Sequence, residues 1–135
     1  MSAKQVTYVE GLGRRKTATA RVRLVPASKT EITVNDKPLN EYFKNRSHQL
    51  DVESVLKTKD AGIEDYTITV KVLGSGLSAQ AEAIRLGIAR ALVKEKADRR
   101  GVLKAEGYLK RDPRSVERKK FGLHKARKRP AWSKR

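Results

Sequence analysis

The sequence predicts an α/β domain, a helix packed across a β-sheet, followed by a basic extension with no core of its own. Residues 66–72, Tyr66-Thr-Ile-Thr-Val-Lys-Val72, alternate strictly, which puts Tyr66, Ile68, Val70 and Val72 on one face of a strand. Gly74-Ser-Gly76 then turns the chain into a run where Leu77, Ala81, Ile84, Ile88, Ala91 and Leu92 recur at helical spacing, inside one stripe roughly 100° wide. From residue 107 onward apolar residues thin out and cations take over. Residues 1–106 are therefore expected to form one globular domain and residues 107–135 an extended basic tail.

Glu82, Arg85 and Arg90 lie outside the helical stripe, as a solvated face requires. Leu86 and Val93 sit nearly opposite it and predict a second, smaller contact. Ser78 is the expected N-cap, its hydroxyl taking a backbone N–H that the first turn leaves unpaired.

Earlier in the chain, Val6-Thr-Tyr-Val9 reads as a short strand, and Gly11-Leu-Gly-Arg-Arg-Lys16 as the glycine-bearing, cationic loop that interrupts it. Residues 17–24 alternate again, Ala18, Ala20, Val22 and Leu24 facing inward, Arg21 and Arg23 outward. Residues 26–30 form a turn and residues 30–34 a returning strand with Ile32 and Val34 inward. Asn35-Asp-Lys-Pro38 stops that strand, and Pro38 suits the first turn of a short helix carrying Leu39, Tyr42 and Phe43. A second short helix is expected over residues 48–56, with Leu50, Val55 and Leu56 as its apolar contacts. Residues 57–65 form a loop with a turn at Asp60-Ala-Gly62. Residues 97–106 read as a last helix, weakened by Gly101.

The 135 residues carry a formal charge of +17. A charge this large calls for a polyanionic partner. No segment is a long apolar span, no stretch resembles a secretory or transit leader, and there are no cysteines for disulfides or a thiolate metal site. The expected location is intracellular. Arg14, Arg15 and Lys16 continue onto the strand face of Arg21 and Arg23, making a stripe of cations of the kind that follows phosphates. The tail from residue 110 holds twelve cations against Asp112 and Glu117. Composition and self-repulsion leave such a segment disordered when alone in water, and residues 107–135 could reach about 90–100 Å at ~3.3–3.6 Å per residue. Trp132 and Phe121 among these cations suit stacking on unpaired bases.

Catalytic groupings are lacking. His48 and His124 lie far apart, and His124 suits an RNA contact better than chemistry. No cofactor and no metal site is expected. Gly74-Ser-Gly-Leu-Ser78 loosely resembles the phosphate loop of small-molecule kinases such as galactokinase and homoserine kinase. It fits a tight turn with positive φ at glycine and an RNA-phosphate contact equally well. The rest of an ATP site is missing.

Several motifs together carry a closer resemblance. They are Gly13-Arg-Arg-Lys16, Gly76-Leu-Ser-Ala-Gln-Ala-Glu-Ala-Ile-Arg-Leu-Gly-Ile-Ala-Arg-Ala-Leu92, Arg111-Asp-Pro-Arg114, Glu117-Arg-Lys-Lys120, Lys125-Ala-Arg-Lys-Arg-Pro130 and Ser133-Lys-Arg135. In that order, and running from about Val6 to the last residue, they resemble the family of the ninth protein of the small ribosomal subunit in its bacterial form. Ser75 and Ala79 stand where that family usually has glycine, and Leu86 where it often has histidine.

The resemblance implies an α/β sandwich: a mostly antiparallel four-stranded sheet, helices on one face, and a left-handed βαβ crossover shared with the kinases just named. It implies a ribosome-bound, cytoplasmic protein of the small-subunit head, held on the 3′ major domain of the rRNA beside neighbouring head proteins. The expected rRNA-binding residues are Arg14, Arg15, Lys16, Arg21, Arg23, Gly74, Gly76, Ser78, Arg111, Arg114, Arg118, Lys119, Lys120, His124, Lys125, Arg127, Lys128, Arg129 and Trp132. Ser133, Lys134 and Arg135 are expected to meet the anticodon stem-loop of P-site tRNA. A general nucleic-acid packaging protein and a kinase relative are the competing classes, separated by preference for one folded rRNA domain and by ATP turnover.

Overall fold

The computed structural model describes residues 7–59 and 62–131. Val6, Asp60, Ala61, Trp132, Ser133, Lys134 and Arg135, each part of an expectation above, lie outside the described residues. Among those described, the elements run β1 (Val9–Arg15), β2 (Ala18–Pro26), β3 (Glu31–Val34), β4 (Lys37–Pro38), α1 (Leu39–Tyr42), α2 (Arg46–Ser54), β5 (Tyr66–Leu73), α3 (Leu77–Glu95) and α4 (Arg99–Ala105).

The strands form one mixed sheet in the order β1-β2-β5-β3-β4. Three pairings are antiparallel, and β3 runs parallel to β5. The expected four strands become five because Asn35 and Asp36 both take positive φ, 49° and 67°, closing a two-residue hairpin that pairs Val34 with Lys37. The Asn35 side chain also exchanges hydrogen bonds with the backbone of Val72, at 2.9 and 3.0 Å. It thereby continues the β3–β5 pairing one step past the end of β3.

The alternation in β2 and β5 is the core pattern: Ala18, Ala20, Val22, Leu24, Tyr66, Ile68, Val70 and Val72 are all buried. Their opposite face, with Arg21, Arg23, Thr69 and Lys71, is exposed. Helix α3 covers the buried face. Ala81, Ile84, Ile88, Ala91 and Leu92 of the expected stripe are fully buried, whereas Leu77 is 46% exposed because it opens the first turn. Leu86 is buried as well, on the side of the helix that faces Gly107, Tyr108, Lys110 and Asp112. In α2 the buried positions are Gln49 and Val52; Val55 just beyond is also buried, while Leu50 faces outward.

The largest departure from expectation is β1. The segment read as a loop is a seven-residue strand, and its glycines are the reason. A Cβ on Gly11 would run into Gly87 O, and one on Gly13 into Ala83 O. Ala83, Gly87 and Ala91 recur every four residues and make a flat strip along α3, against which the bare backbone of β1 lies. The glycines here are not turn residues; they let a strand and a helix touch at backbone distance.

The start of α3 also differs. Gly76, not Ser78, is the N-cap, and it makes no side-chain capping bond. Gly74 (φ 85°) and Ser75 (φ 56°) are both left-handed, so the chain has already reversed by Gly76 and Ser78 falls inside the first turn. At Gly74 a Cβ would meet Thr17 O, so glycine is required there by space as well as by φ. The Gln80 side chain folds back to donate to Gly74 O at 3.0 Å.

Arg99 closes the other end of the domain. Its guanidinium, 2% exposed, donates to Leu92 O, Glu95, Gly62 O and the Tyr66 hydroxyl. Burial, together with the Glu95 carboxylate, raises the Tyr66 pKa above its ordinary value, so the hydroxyl stays protonated.

Candidate nucleic-acid interface

The cations fall into three settings that differ in how their charge is used. On the open face of the sheet, antiparallel register sets Arg21 beside Lys71 and Arg23 beside Thr69, with Arg14 exposed on the neighbouring strand. Arg21 reaches Glu10 at 3.1 Å and Lys71 reaches Asp36 at 3.1 Å. Arg23 lies over the Tyr8 ring, 4.6 Å from its centroid. Exposed pairs of this kind are worth about 0–1 kcal/mol, so exchanging a carboxylate for a phosphate costs little. Lys71 and Tyr8 were missed by the sequence reading; the alternation places Lys71 on this face, but only the β2–β5 register brings it to Arg21.

Around the β1–β2 turn the charges divide. Lys16 (φ 53°) points to solvent. Arg15 does not. Its side chain is 10% exposed and bonds Glu82 of α3 at 2.6 Å through Nε. Its Nη1 donates to Arg114 O at 2.5 Å, and its Nη2 stands 3.6 Å from Asp112. Asp112 in turn accepts from the backbone N–H and guanidinium of Arg114, at 2.7–3.0 Å. These bonds to Arg114 hold the Asp112 carboxyl far below the usual carboxylate range, and raise the pKa of Arg114. Tyr108, half-buried, sits beneath Arg85 with its ring centroid 5.8 Å from the guanidinium. The root of the tail is thus attached to α3 through Arg15, and Arg15 spends its charge inside the protein. Ser75, Lys16, Thr17 and residues 111–116 enclose a cavity of about 490 Å³, which brings Lys16, Arg111 and Arg114 around the glycine turn. The hydroxyl of Ser78 is exposed one turn further on.

Beyond residue 114 the described tail has no helix or strand. Phe121 is 100% exposed and Val116 89%, so nothing in it is organised around a core. Glu117 pairs with Lys120 and, at 2.8 Å, with Arg127. The His124 backbone N–H donates to Lys128 O at 2.8 Å. Arg118, Lys119, Lys120, Lys125, Arg127, Lys128 and Arg129 are exposed, as is His124. Both acids of the tail are already held by Arg114, Lys120 and Arg127, and the other described cations of the tail have no acidic partner within it.

Against known sequences, residues 13–135 match the model of the family described as ribosomal protein S9/S16. The chain belongs to this family. It is 56% identical over 134 residues to the small ribosomal subunit protein uS9 of Crocosphaera subtropica, covering 98% of this chain and 96% of that protein. Identity to the protein of the same name is 54% over 127 residues in Nostoc punctiforme, with 93% and 90% covered, and 51% over 136 residues in Synechocystis sp., with 99% and 96% covered. Membership makes it a small-subunit ribosomal protein, structural rather than enzymatic, and bound to the ribosome in the cytoplasm. Among the described residues no helix is long and apolar enough to cross a membrane, and no group of His, Asp and Glu is placed to hold a metal ion.

Proposed function

We propose that the protein binds small-subunit rRNA in the head, on the 3′ major domain, and that its tail threads through that rRNA to the P-site tRNA. The observation that carries this is the pairing pattern of the tail. Asp112 and Glu117 are taken by Arg15, Arg114, Lys120 and Arg127, while the other described cations of the tail are exposed along a segment with no helix or strand among the described residues. A chain of this kind becomes ordered where phosphates surround it. Lys16, Arg111 and Arg114 near the Gly74–Ser78 turn extend the track onto the domain, and Arg14, Arg21, Arg23 and Lys71 line a second one on the sheet. Arg15 acts by aiming the tail.

Ser133, Lys134 and Arg135 are the groups a terminal extension brings to the anticodon stem-loop, with Arg135 forking its donors across phosphate oxygens. Trp132 stacks on rRNA just before them. Residues 1–106 act as the folded unit and residues 107–135 as the probe, beside neighbouring head proteins. In this reading the β3-to-β5 crossover is left-handed, as the resemblance implies. No cofactor enters this reading.

Two measurements test it. Affinity of the isolated protein for head rRNA falls with salt by roughly 0.7–0.9 log units per log unit for each neutralised phosphate, and less steeply once the tail is cut after Val116. A flat salt dependence overturns the reading. Deleting residues 133–135 leaves subunit assembly unchanged and weakens P-site tRNA by about 1–3 kcal/mol, alike for tRNAs of different anticodon. Unchanged tRNA dissociation removes the tRNA contact and leaves rRNA packing alone.

A further inference from the structure

At the far edge of the sheet from β1 the chemistry reverses sign. A cavity of about 820 Å³ runs between β3 and the C-terminal end of α2. One wall is the consecutive run from Thr30 to Thr33, the floor includes Leu39, and Leu56 closes the opposite side. Glu31, Asp36 and Glu53 line it with Lys57, on a chain whose net charge is +17. Glu53 is paired with Lys57 at 3.5 Å and Arg46 at 4.0 Å, and Asp36 with Lys71, while Glu31 has no ion pair among the described residues.

This wall is also an incomplete sheet edge. Strand β4 pairs only with Thr33 and Val34, so among the described residues Glu31 and Ile32 have β5 on one side and no strand on the other. The Asn35 N–H donates to Val70 of β5, so by alternation Val34 and Ile32 turn their backbone groups toward the outer edge. Val34 meets Lys37 there; Ile32 meets the cavity. Open edge groups of this kind are templates for a further strand.

We propose that this edge takes an extended, Lys/Arg-rich segment of a neighbouring small-subunit protein, added as a strand to β3. Backbone bonds to Ile32 supply affinity, and alternate side chains sort themselves, apolar ones onto Ile32, Leu39 and Leu56, cations onto Glu31 and Glu53. Glu31, with no ion pair among the described residues, and Glu53, shared between Lys57 and Arg46, make this face less favourable to RNA phosphate than the cationic ones. They also disfavour a second copy of the chain, since pairing β3 with itself sets like charges against each other. The proposal rests on the placement of the protein in the small subunit.

The test places photoreactive benzoylphenylalanine at the exposed position 40 of the full chain, in assembled small subunits. Irradiation is expected to join it to a Lys/Arg-rich segment of another small-subunit protein. The yield falls at least about tenfold with E31K/E53K and by a smaller factor with E31Q/E53Q, because like charges across an interface are strongly disfavoured. The neutral pair is the readout if the charge-reversed one fails to assemble. A crosslink to rRNA, to the chain's own tail, to a second copy or to a non-basic segment overturns the proposal, as does no crosslink or a yield indifferent to the substitutions. Co-sedimentation with small subunits and salt-dependent rRNA binding, measured on the same samples, report separately on the functional reading beneath it.

Discussion

The β1–α3 junction and the tail are both rich in residues that a sequence reading assigns to loops, and they end in opposite states. In the junction, Gly11, Gly13, Ala83, Gly87 and Ala91 bring two backbones together, and the Arg90 guanidinium donates to Leu12 O at 2.8 Å along the strand. Beyond residue 114 the described cations of the tail are exposed and lie in no helix or strand. The small residues are as specific as a large apolar core because contact at backbone distance leaves no room for error. The cations are specific only once something outside the chain supplies the opposite charge. Between them lies Arg15, a cation of the stripe that belongs to the domain and holds the root of the tail.

The sharpest way to break the domain without touching the tail is Ile84→Asp. It places an unpaired charge in a fully buried site, at a cost of several kcal/mol against a typical stability of ~5–15 kcal/mol. Thermal melts should show it unfolded. Next, Gly13→Ala drives a methyl into the carbonyl of Ala83 and should destabilise by about 1–3 kcal/mol, seen as a lowered urea midpoint at unchanged slope. A wild-type midpoint would mean that β1 does not lie against α3.

Two truncations then sharpen where domain and tail divide. A cut after Val116 keeps the Arg15–Asp112–Arg114 contacts and should leave the melt unchanged. A cut after Gly107 strips Tyr108 and Leu109 from the core and leaves Arg15 with Glu82 alone; it should still fold, about 1–3 kcal/mol less stable. Equal melts for the two would dissolve the attachment.

Acid probes the same joint more gently. Because the folded pKa of Asp112 is depressed, its contribution is present above the ordinary value near ~3.9 and is lost only as pH falls through the folded value. Carboxyl ¹³C shifts should therefore show Asp112 still ionised at that pH; titration at the ordinary value would contradict the pairing. The smallest effect has the opposite sign. Gly101 lies in α4 with open space where a Cβ would stand, so Gly101→Ala should stabilise by about 0.5–1 kcal/mol. A lowered melting point would count against that helix.

Much of this was legible in the residues. Alternation over residues 18–24 and 66–72 and the 3.6-residue stripe through Ile84 and Ile88 located the core, because a half-buried element needs a periodic apolar face whatever it packs on. The composition of the tail marked it as a segment without a core of its own, since too few apolar residues exclude one.

What only the tertiary structure decided was the partner of each face. Gly11 and Gly13 carry no side-chain pattern to read, so their place in a strand appeared only when the helix backbone was found against them. Ser78 met the local rule for an N-cap and lost the position to a left-handed turn at Gly74 and Ser75. Arg15 and Arg99 look like surface cations in sequence, yet Glu82 lies 67 residues from Arg15, and Tyr66 lies 33 from Arg99. Local sequence sets which residues prefer which conformation; pairings across such separations come from chain topology, and they determine which charges stay exposed.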